Sequence, residues 1–369
     1  MTDKKKAQEL LSLAGVEVNG KNQWDIHIHN EGFYSRVLSK GSLALGESYM
    51  DGWWDVEELD EFFDHVLRVD LNRKLITPSV IFHILRAKFF NLQNISRAFK
   101  VGEQHYDIGN DLYSRMLDKR LVYTCGYWKN AQTLESAQEA KLDLVCRKLN
   151  LQKGQRILDI GCGWGSFAKF AAERYGVEVV GITISKEQAK FAEENTKGLP
   201  VEIRLQDYRD IDEVFDHVVS LGMFEHVGYK NYREYMRVVN KSLKKDGLFL
   251  LHTIGSNYSS STTEPWIEKY IFPGGMLPSI KQIGKSIEEY FVMEDWHNFG
   301  VDYDKTLVEW FKNFDKAWPE LKEVYGERFY RMWKYYLLAS AGSFRSRKNQ
   351  LWQIVLSKKG IRGGYQSVR

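Results

Sequence analysis

Cysteine is scarce: Cys125, Cys146 and Cys162 are the only three in 369 residues, odd in number and far apart. That excludes a disulfide framework and a CxxC metal site, and it fits a reducing compartment. Long apolar runs are missing too, no window nearing the ~18 to 20 residues that a membrane span requires. The start, MTDKKK, is charged and leads into no apolar stretch, so no signal peptide is expected. A chain like this would meet a membrane only from one side. Charge of one sign is also lacking: Lys plus Arg number 52 and Asp plus Glu 49, a net +3 that argues against bulk nucleic-acid binding. The nine histidines show neither HxxxH nor HExxH spacing, so no metal site is expected. What the chain does have is 43% hydrophobic and 27% charged residues, a globular balance, and a length that suggests two domains. Aromatics reach 14%, enough to wall a ligand as well as fill a core.

Residues 1–80 read as a small mixed α/β domain of short elements. It has an amphipathic start near Ala7–Ala14, a run at Trp24–His29, and a helical pattern of Val56, Leu59, Phe62, Phe63 and Val66 before Pro78. Residues 81–104 form a linker whose first part, IFHILRAKFFNLQNISRAFK, mixes aromatics with Arg86, Lys88, Arg97 and Lys100 and holds no acid. Such a stretch suits an anionic membrane surface or a connecting helix. From about 150, strand and helix alternate: RILDI (156–160), SFAKFAAERYG (166–176), VEVVGITI (177–184), EQAKFAEENT (187–196), VEIRLQD (201–207), FDHVVSL (215–221) and GLFLLHTI (247–254). This rhythm predicts a doubly wound, Rossmann-like sheet, mostly parallel, within a catalytic domain at 105–369. An insertion at about 255–342 interrupts it, with a Ser/Thr-rich loop, the turn-rich IFPGGMLP, and two aromatic helical patterns at about 305–318 and 320–342 separated by Pro319. A last strand, LWQIVLS, spans 351–357.

Gly161, Gly163 and Gly165 follow RILDI and precede a helix, the setting in which a glycine turn lets a ligand approach backbone N–H groups. A dinucleotide site would ask for glycine at 166, where Ser166 stands, and for an acid ending the second strand, where Glu178 instead lies near its start. A nicotinamide cofactor is disfavoured, and GxGxG after a strand carrying Asp159 resembles the nucleoside loop of S-adenosylmethionine-dependent methyltransferases. Thr183, Gln188, Asp207 and Tyr208 stand at or just beyond strand ends. Gln188 also falls three residues after the N-cap candidate Ser185, where it could complete a capping box.

A wider set of motifs resembles the cyclopropane-fatty-acyl-phospholipid synthase family. They are HYDIGNDLYSRMLDKRLVYTCGYW (105–128), ESAQEAKLD (135–143), ILDIGCGWG (157–165), GITISKEQ (181–188), SLGMFEHVG (220–228), LHTIG (251–255) and HNFGVDYDKTL (297–307), with family-like sequence at 43–54 and 343–357. The resemblance covers nearly the whole chain. It implies a class I methyltransferase fold behind a smaller amino-terminal domain for lipid engagement and dimer contacts. The implied reaction is transfer of a methylene unit from S-adenosylmethionine to the cis double bond of unsaturated acyl chains in membrane phospholipids. A cytoplasmic homodimer bound to the inner membrane face is implied as well, with bicarbonate in the site. By this resemblance Cys125, Glu225, His252, the Ile254 backbone and Tyr303 would hold the ion. Tyr123, Thr124, Gly161, Gly163, Gly165, Thr183, Gln188, Asp207 and Tyr208 would contact the cofactor. Ser340 stands where some members carry a cysteine, so no thiol is available there for a covalent role.

The residue types suit that chemistry. An alkene is a weak nucleophile, so it needs a dry site that aligns it with the sulfonium methyl group. Attack leaves a carbocation, which the aromatic faces of Tyr303, Phe224, Tyr127 and Trp128 are placed in sequence to stabilise. Closing the ring then requires a base near the new methyl group. Two other readings share parts of the pattern. A related methyltransferase could make methyl-branched or methylene chains or act on a small amine, and a non-catalytic lipid-surface module would leave Gly161–Gly165, Glu225 and His252 without a purpose.

Overall fold

RILDI becomes the strand on which the second half of the molecule is built. In the computed structural model, which describes residues 2–69 and 109–369, seven strands are numbered in chain order. These are β1 (Arg156–Ile160), β2 (Glu178–Thr183), β3 (Val201–Leu205), β4 (His217–Leu221), β5 (Leu248–Ser256), β6 (Val292–Asn298) and β7 (Asn349–Ser357). Their order across the sheet is β3-β2-β1-β4-β5-β7-β6. β1 pairs in parallel with β2 and β4, and so do β2 with β3 and β4 with β5, while β6 and β7 are antiparallel. The linker 81–104 and residues 105–108 lie outside the described residues.

Four of the five β1 residues are buried, as befits a central strand covered on both faces. One face packs Leu142, Val145, Phe167, Ala168 and Ala171 against Ile157, Val179 and Val219. The other packs Met236, Val239, Ile283 and Ile287 with Leu158, Val180, Val218 and Phe249. The helix after β1, Ser166–Tyr175, is stopped by Gly176, which adopts φ +65° and returns its N–H to Ala172 O. These elements belong to one of two compact units, made of the described residues 109–260 with Gly274–Asp302 and Gln350–Arg369.

The other unit joins described residues 2–69 to Ser261–Pro273, from the insertion at about 255–342, and to Tyr303–Asn349, which begins in that insertion and runs past its end. It is mainly helical, its only ladder among the described residues pairing His27–Ile28 with Trp54–Asp55. Helix Ser42–Met50 meets the indole of Trp266 at Gly46, where any Cβ would enter the ring. Helix Glu327–Arg345 approaches helix Leu59–Arg68 at Gly342 in the same way, against the Asp60 backbone. Arg345 secures that crossing with bonds to Asp60 at 2.7 Å, Glu61 at 2.7 Å and both oxygens of Asp304 at 2.9 Å.

Two sequence expectations are corrected. Pro319 does not separate two helices: one helix runs from Val301 to Tyr325, and the break falls at Gly326 with φ +74°. A proline removes one N–H and crowds the preceding turn. Here Phe314 and Trp318, on the turn before it, both pack on Tyr330 at 5.6 and 5.0 Å, so tertiary packing outweighs the local signal. The insertion is also not purely helical, since VMEDWHN forms β6. Its adjacent Glu294 and Asp295 hide the strand pattern because both are satisfied by the chain that follows. Glu294 accepts from Ser357 and Ile361, and Asp295 from Ser367 and Arg369.

Candidate active site

The glycine turn does what its sequence asked. Gly161, Gly163 and Gly165 take φ of +82°, +56° and +79°, a region that residues with a Cβ enter only at a cost. A Cβ on Gly161 would also lie 2.7 Å from Met223. Gly165 opens the helix Ser166–Tyr175, so the turn delivers a helix amino terminus to the carboxyl ends of β1 and β2. Asp159 lies one step below it, fully buried, with Oδ2 lacking a partner, and burial pushes its carboxyl well above the usual carboxylate range.

Beside the turn, Thr183 closes β2 and donates to Gln188 Oε1 at 3.0 Å. Ser185 does cap the helix Lys186–Asn195 by accepting from Gln188 N–H, but the Gln188 side chain is turned to Thr183, so the reciprocal half of a capping box is not made. Asp207 follows β3 and holds the Arg209 guanidinium through both oxygens, at 3.2 and 3.0 Å. Tyr208 is buried against Tyr235, its hydroxyl unpartnered, and burial pushes the phenol up to about 12.

Tyr123, Thr124 and Cys125 lie on a segment braced by the helix Leu134–Lys148. Gln138 donates to Thr124 O at 2.8 Å, and the buried Lys141 ammonium donates to Thr124 Oγ1 at 2.7 Å. Burial pushes that ammonium well below the usual lysine range, with Asp118 and then Asp159 among the anions opposing the shift. Gln138 and Lys141 lie in the motif ESAQEAKLD but are not among the site residues that the sequence points to. A glutamine and a lysine three apart on the otherwise apolar side of a helix are the signal that could have found them. Thr124 Cγ2 is 2.7 Å from where a Cβ on Gly222 would sit, just past β4, and Gly222 N–H in turn bonds His252 O. Tyr123 packs edge-on to Tyr113, and the Cys125 thiol donates to Gly126 O at 3.1 Å.

Glu225 and His252 come from neighbouring strands, His252 on β5 opposite Leu221 at the end of β4, and Glu225 in the turn that follows β4. Glu225 Oε1 accepts the Ile254 N–H at 2.7 Å, while Oε2 is buried without a partner. Burial raises its carboxyl to about 7, although the Ile254 bond pulls the other way. The imidazole of His252 is held neutral by burial, with Lys141 and Lys148 adding to the effect. Its Nδ1 faces Gln353 Nε2 at 3.3 Å, and its Nε2 has no partner. Gln353, on β7, was also missed. Its signal is a glutamine inside LWQIVLS, an otherwise apolar strand.

Of the remaining expected residues, Ile254 has its N–H engaged by Glu225. Tyr303 belongs to the other unit, stacked on Phe344 at 4.7 Å and edge-on to Trp310. Phe224 lies in the core with one face on Tyr232 at 4.2 Å, and Tyr127 meets Phe299 edge-on. Among the described residues no cluster of three His, Cys, Asp or Glu is placed to hold a metal, and no helix is long and apolar enough to cross a membrane.

A seven-stranded sheet in this order, with glycines at the end of β1 and polar side chains at the ends of its neighbours, defines a class I S-adenosylmethionine-dependent methyltransferase. The chain matches the family model described as mycolic acid cyclopropane synthetase over residues 93–354, and it belongs to that family. It is 56% identical to the cyclopropane-fatty-acyl-phospholipid synthase of Escherichia coli K12 over 366 residues, 98% of this chain and 95% of that one. A probable fatty acid methyltransferase of Pseudomonas putida is 37% identical over 69% of this chain and 68% of its own. Among solved structures, the cyclopropane synthase MmaA2 from Mycobacterium tuberculosis superposes with a TM-score of 0.68 at 30% identity, covering 73% of this chain and all of that one. The mycolic acid cyclopropane synthase CmaA1, complexed with SAH and CTAB, gives 0.67 at 32% identity, covering 70% and 98%.

Proposed function

We propose that this protein transfers a methylene unit from S-adenosylmethionine to the cis double bond of unsaturated acyl chains in membrane phospholipids, forming a cyclopropane ring, with bicarbonate as proton acceptor. The observation that carries the reading is the pair of unpartnered buried atoms, Glu225 Oε2 and His252 Nε2, on adjoining strand ends. A buried polar atom without a partner is open to a ligand, and two of them on adjoining strand ends suit a small ion that can both give and accept hydrogen bonds. The E. coli relative, a cyclopropane-fatty-acyl-phospholipid synthase similar over nearly the full length, supports the substrate class.

When bound, S-adenosylmethionine supplies an electrophilic methyl group and bicarbonate supplies a base. The Gly161–Gly165 turn offers room for a ligand to come close at Gly163, while the Gly161, Cys162 and Gly165 N–H groups hold the turn itself by bonds to Ile182 O and Cys162 O, and Asp207, Tyr208, Thr183 and Gln188 line the nucleoside end. Lys141 and Gln138 hold Thr124 over the end of β4. Glu225 and His252 orient the ion, and their burial keeps water from a carbocation that water would trap. Engagement of a membrane surface and homodimer formation complete the proposal. Both are checked by vesicle co-sedimentation and light scattering.

The deciding experiment incubates the purified protein with vesicles of unsaturated phospholipid and S-adenosylmethionine labelled in the methyl group. Mass spectrometry is expected to find acyl chains heavier by CH2 that survive mild hydrogenation unchanged. A product that hydrogenation makes heavier by two hydrogens would be a methylene chain, and methyl branching would show in its fragmentation. Either result would move the protein to the fatty acid methyltransferase side of the family. Turnover in buffer stripped of carbon dioxide should fall and return on adding bicarbonate.

A further inference from the structure

His252 is buried and held neutral, so one of its ring nitrogens carries a hydrogen and the other a lone pair. Which nitrogen carries it decides whether the atom left facing a ligand gives or accepts a hydrogen bond. Gln353 is the contact that bears on the choice. It lies on β7, next to β5 in the sheet, is itself fully buried, and places its amide nitrogen 3.3 Å from His252 Nδ1. With the amide turned this way its nitrogen has hydrogens to give and no lone pair to offer, so Nδ1 accepts, whereas the reversed amide would set Gln353 Oε1 against an Nδ1–H. The ring hydrogen then belongs to Nε2, which has no hydrogen-bond partner among the described residues. Phe299 walls the pair, 6.0 Å from the His252 ring, and His297, opposite Gln353 on β6, has its Nδ1 occupied by Lys148 at 3.1 Å.

We propose that Gln353 is a positioning residue that locks His252 in the Nε2–H tautomer, so that the imidazole donates to an anionic oxygen shared with Glu225. The assignment of that oxygen to a bound anion rests on the function proposed above. The opposite tautomer would turn a lone pair toward the anion and repel it. Hydrogen bonds to the remote nitrogen of a working histidine commonly set its tautomer and orientation in this way.

The test is the 15N spectrum of histidine-labelled full-length protein by solid-state NMR, with His252 assigned by its disappearance in His252→Gln. Free of carbon dioxide, the wild type should show Nε2 protonated and Nδ1 bare, and the reverse pattern overturns the proposal without any variant. Gln353→Glu places an acceptor against Nδ1 and should invert the pattern, with kcat falling about 10- to 100-fold while KM for S-adenosylmethionine stays within about twofold. Gln353→Met offers neither and should give a mixture, with the half-saturating bicarbonate concentration rising about tenfold. Unchanged tautomer and kcat in both variants would overturn the proposal, as would losses that follow only melting temperature. A wild-type Nε2–H signal that does not move when bicarbonate is added upholds the role of Gln353 and overturns instead the reading of the anion.

Discussion

The two ends of the site are satisfied differently. At the end proposed for the nucleoside, Thr183 bonds Gln188 and Asp207 bonds Arg209, so these groups rest on one another, and only the Tyr208 hydroxyl and Asp159 Oδ2 are left buried without partners among the described residues. At the other end, Glu225 Oε2, His252 Nε2 and Gln353 Oε1 are all buried and, among the described residues, all without hydrogen-bond partners. Groups of the first kind are preorganised at small cost. Those of the second kind keep a desolvation penalty in the folded chain that a bound polar group can relieve. Binding should therefore tolerate changes that chemistry does not.

That contrast breaks most sharply at Glu225. Glu225→Gln should lower kcat by about 10² or more, while the dissociation constant for S-adenosylhomocysteine by calorimetry shifts less than about threefold. Equal losses in both would erase the distinction between the two ends.

Stability offers the next test. The Glu225 carboxyl rises from 4.5 to about 7 on folding, so the folded chain holds this proton more tightly than the unfolded one. The stabilisation is complete below the unfolded value and disappears as pH climbs through about 7, a difference of up to ~3 kcal/mol. Wild-type stability in urea should fall between pH 5 and 8 by more than that of Glu225→Gln. Parallel curves would place the penalty elsewhere.

Gly161→Ala forces a Cβ into a left-handed turn and toward Met223. It should weaken cofactor binding about tenfold and cost ~1–3 kcal/mol of stability. Lys141→Met should raise KM for S-adenosylmethionine about fivefold. Thr124→Val should add nothing to it, because the bond between the two is already gone. Additive losses would mean that Lys141 does not act through Thr124. The smallest effect belongs to Gln188→Ala, about two- to threefold in cofactor affinity, since Thr183 can turn its hydroxyl to the ligand or to water.

Much of the nucleoside end was legible in the sequence because its parts are local. A strand, three glycines and a helix start follow one another, and Thr183 and Asp207 stand at strand ends that alternation marks. The chemical end was reached only through family likeness, since Glu225 and His252 are 27 positions apart in the chain and are brought to adjoining strand ends by the β4–β5 pairing. Gln353 and Lys141 were overlooked because a lone polar residue inside an apolar element looks like a tolerated exception until its partner is seen. The β6 strand was missed for the converse reason, two acids whose counterparts come later in the chain. Pro319 misled because a breaker was weighed without the aromatic rings that hold its helix together.

The glycine crossings at Gly46 and Gly342 carry a practical lesson for anyone who would cut or recombine this polypeptide. Three separated stretches interlock there with no clearance for a single methyl, so the front portion alone would leave Tyr49 and Phe63 without the Tyr335 ring that packs on both. Chimaeras between relatives should be grafted as all three pieces at once, or aggregation will be the product.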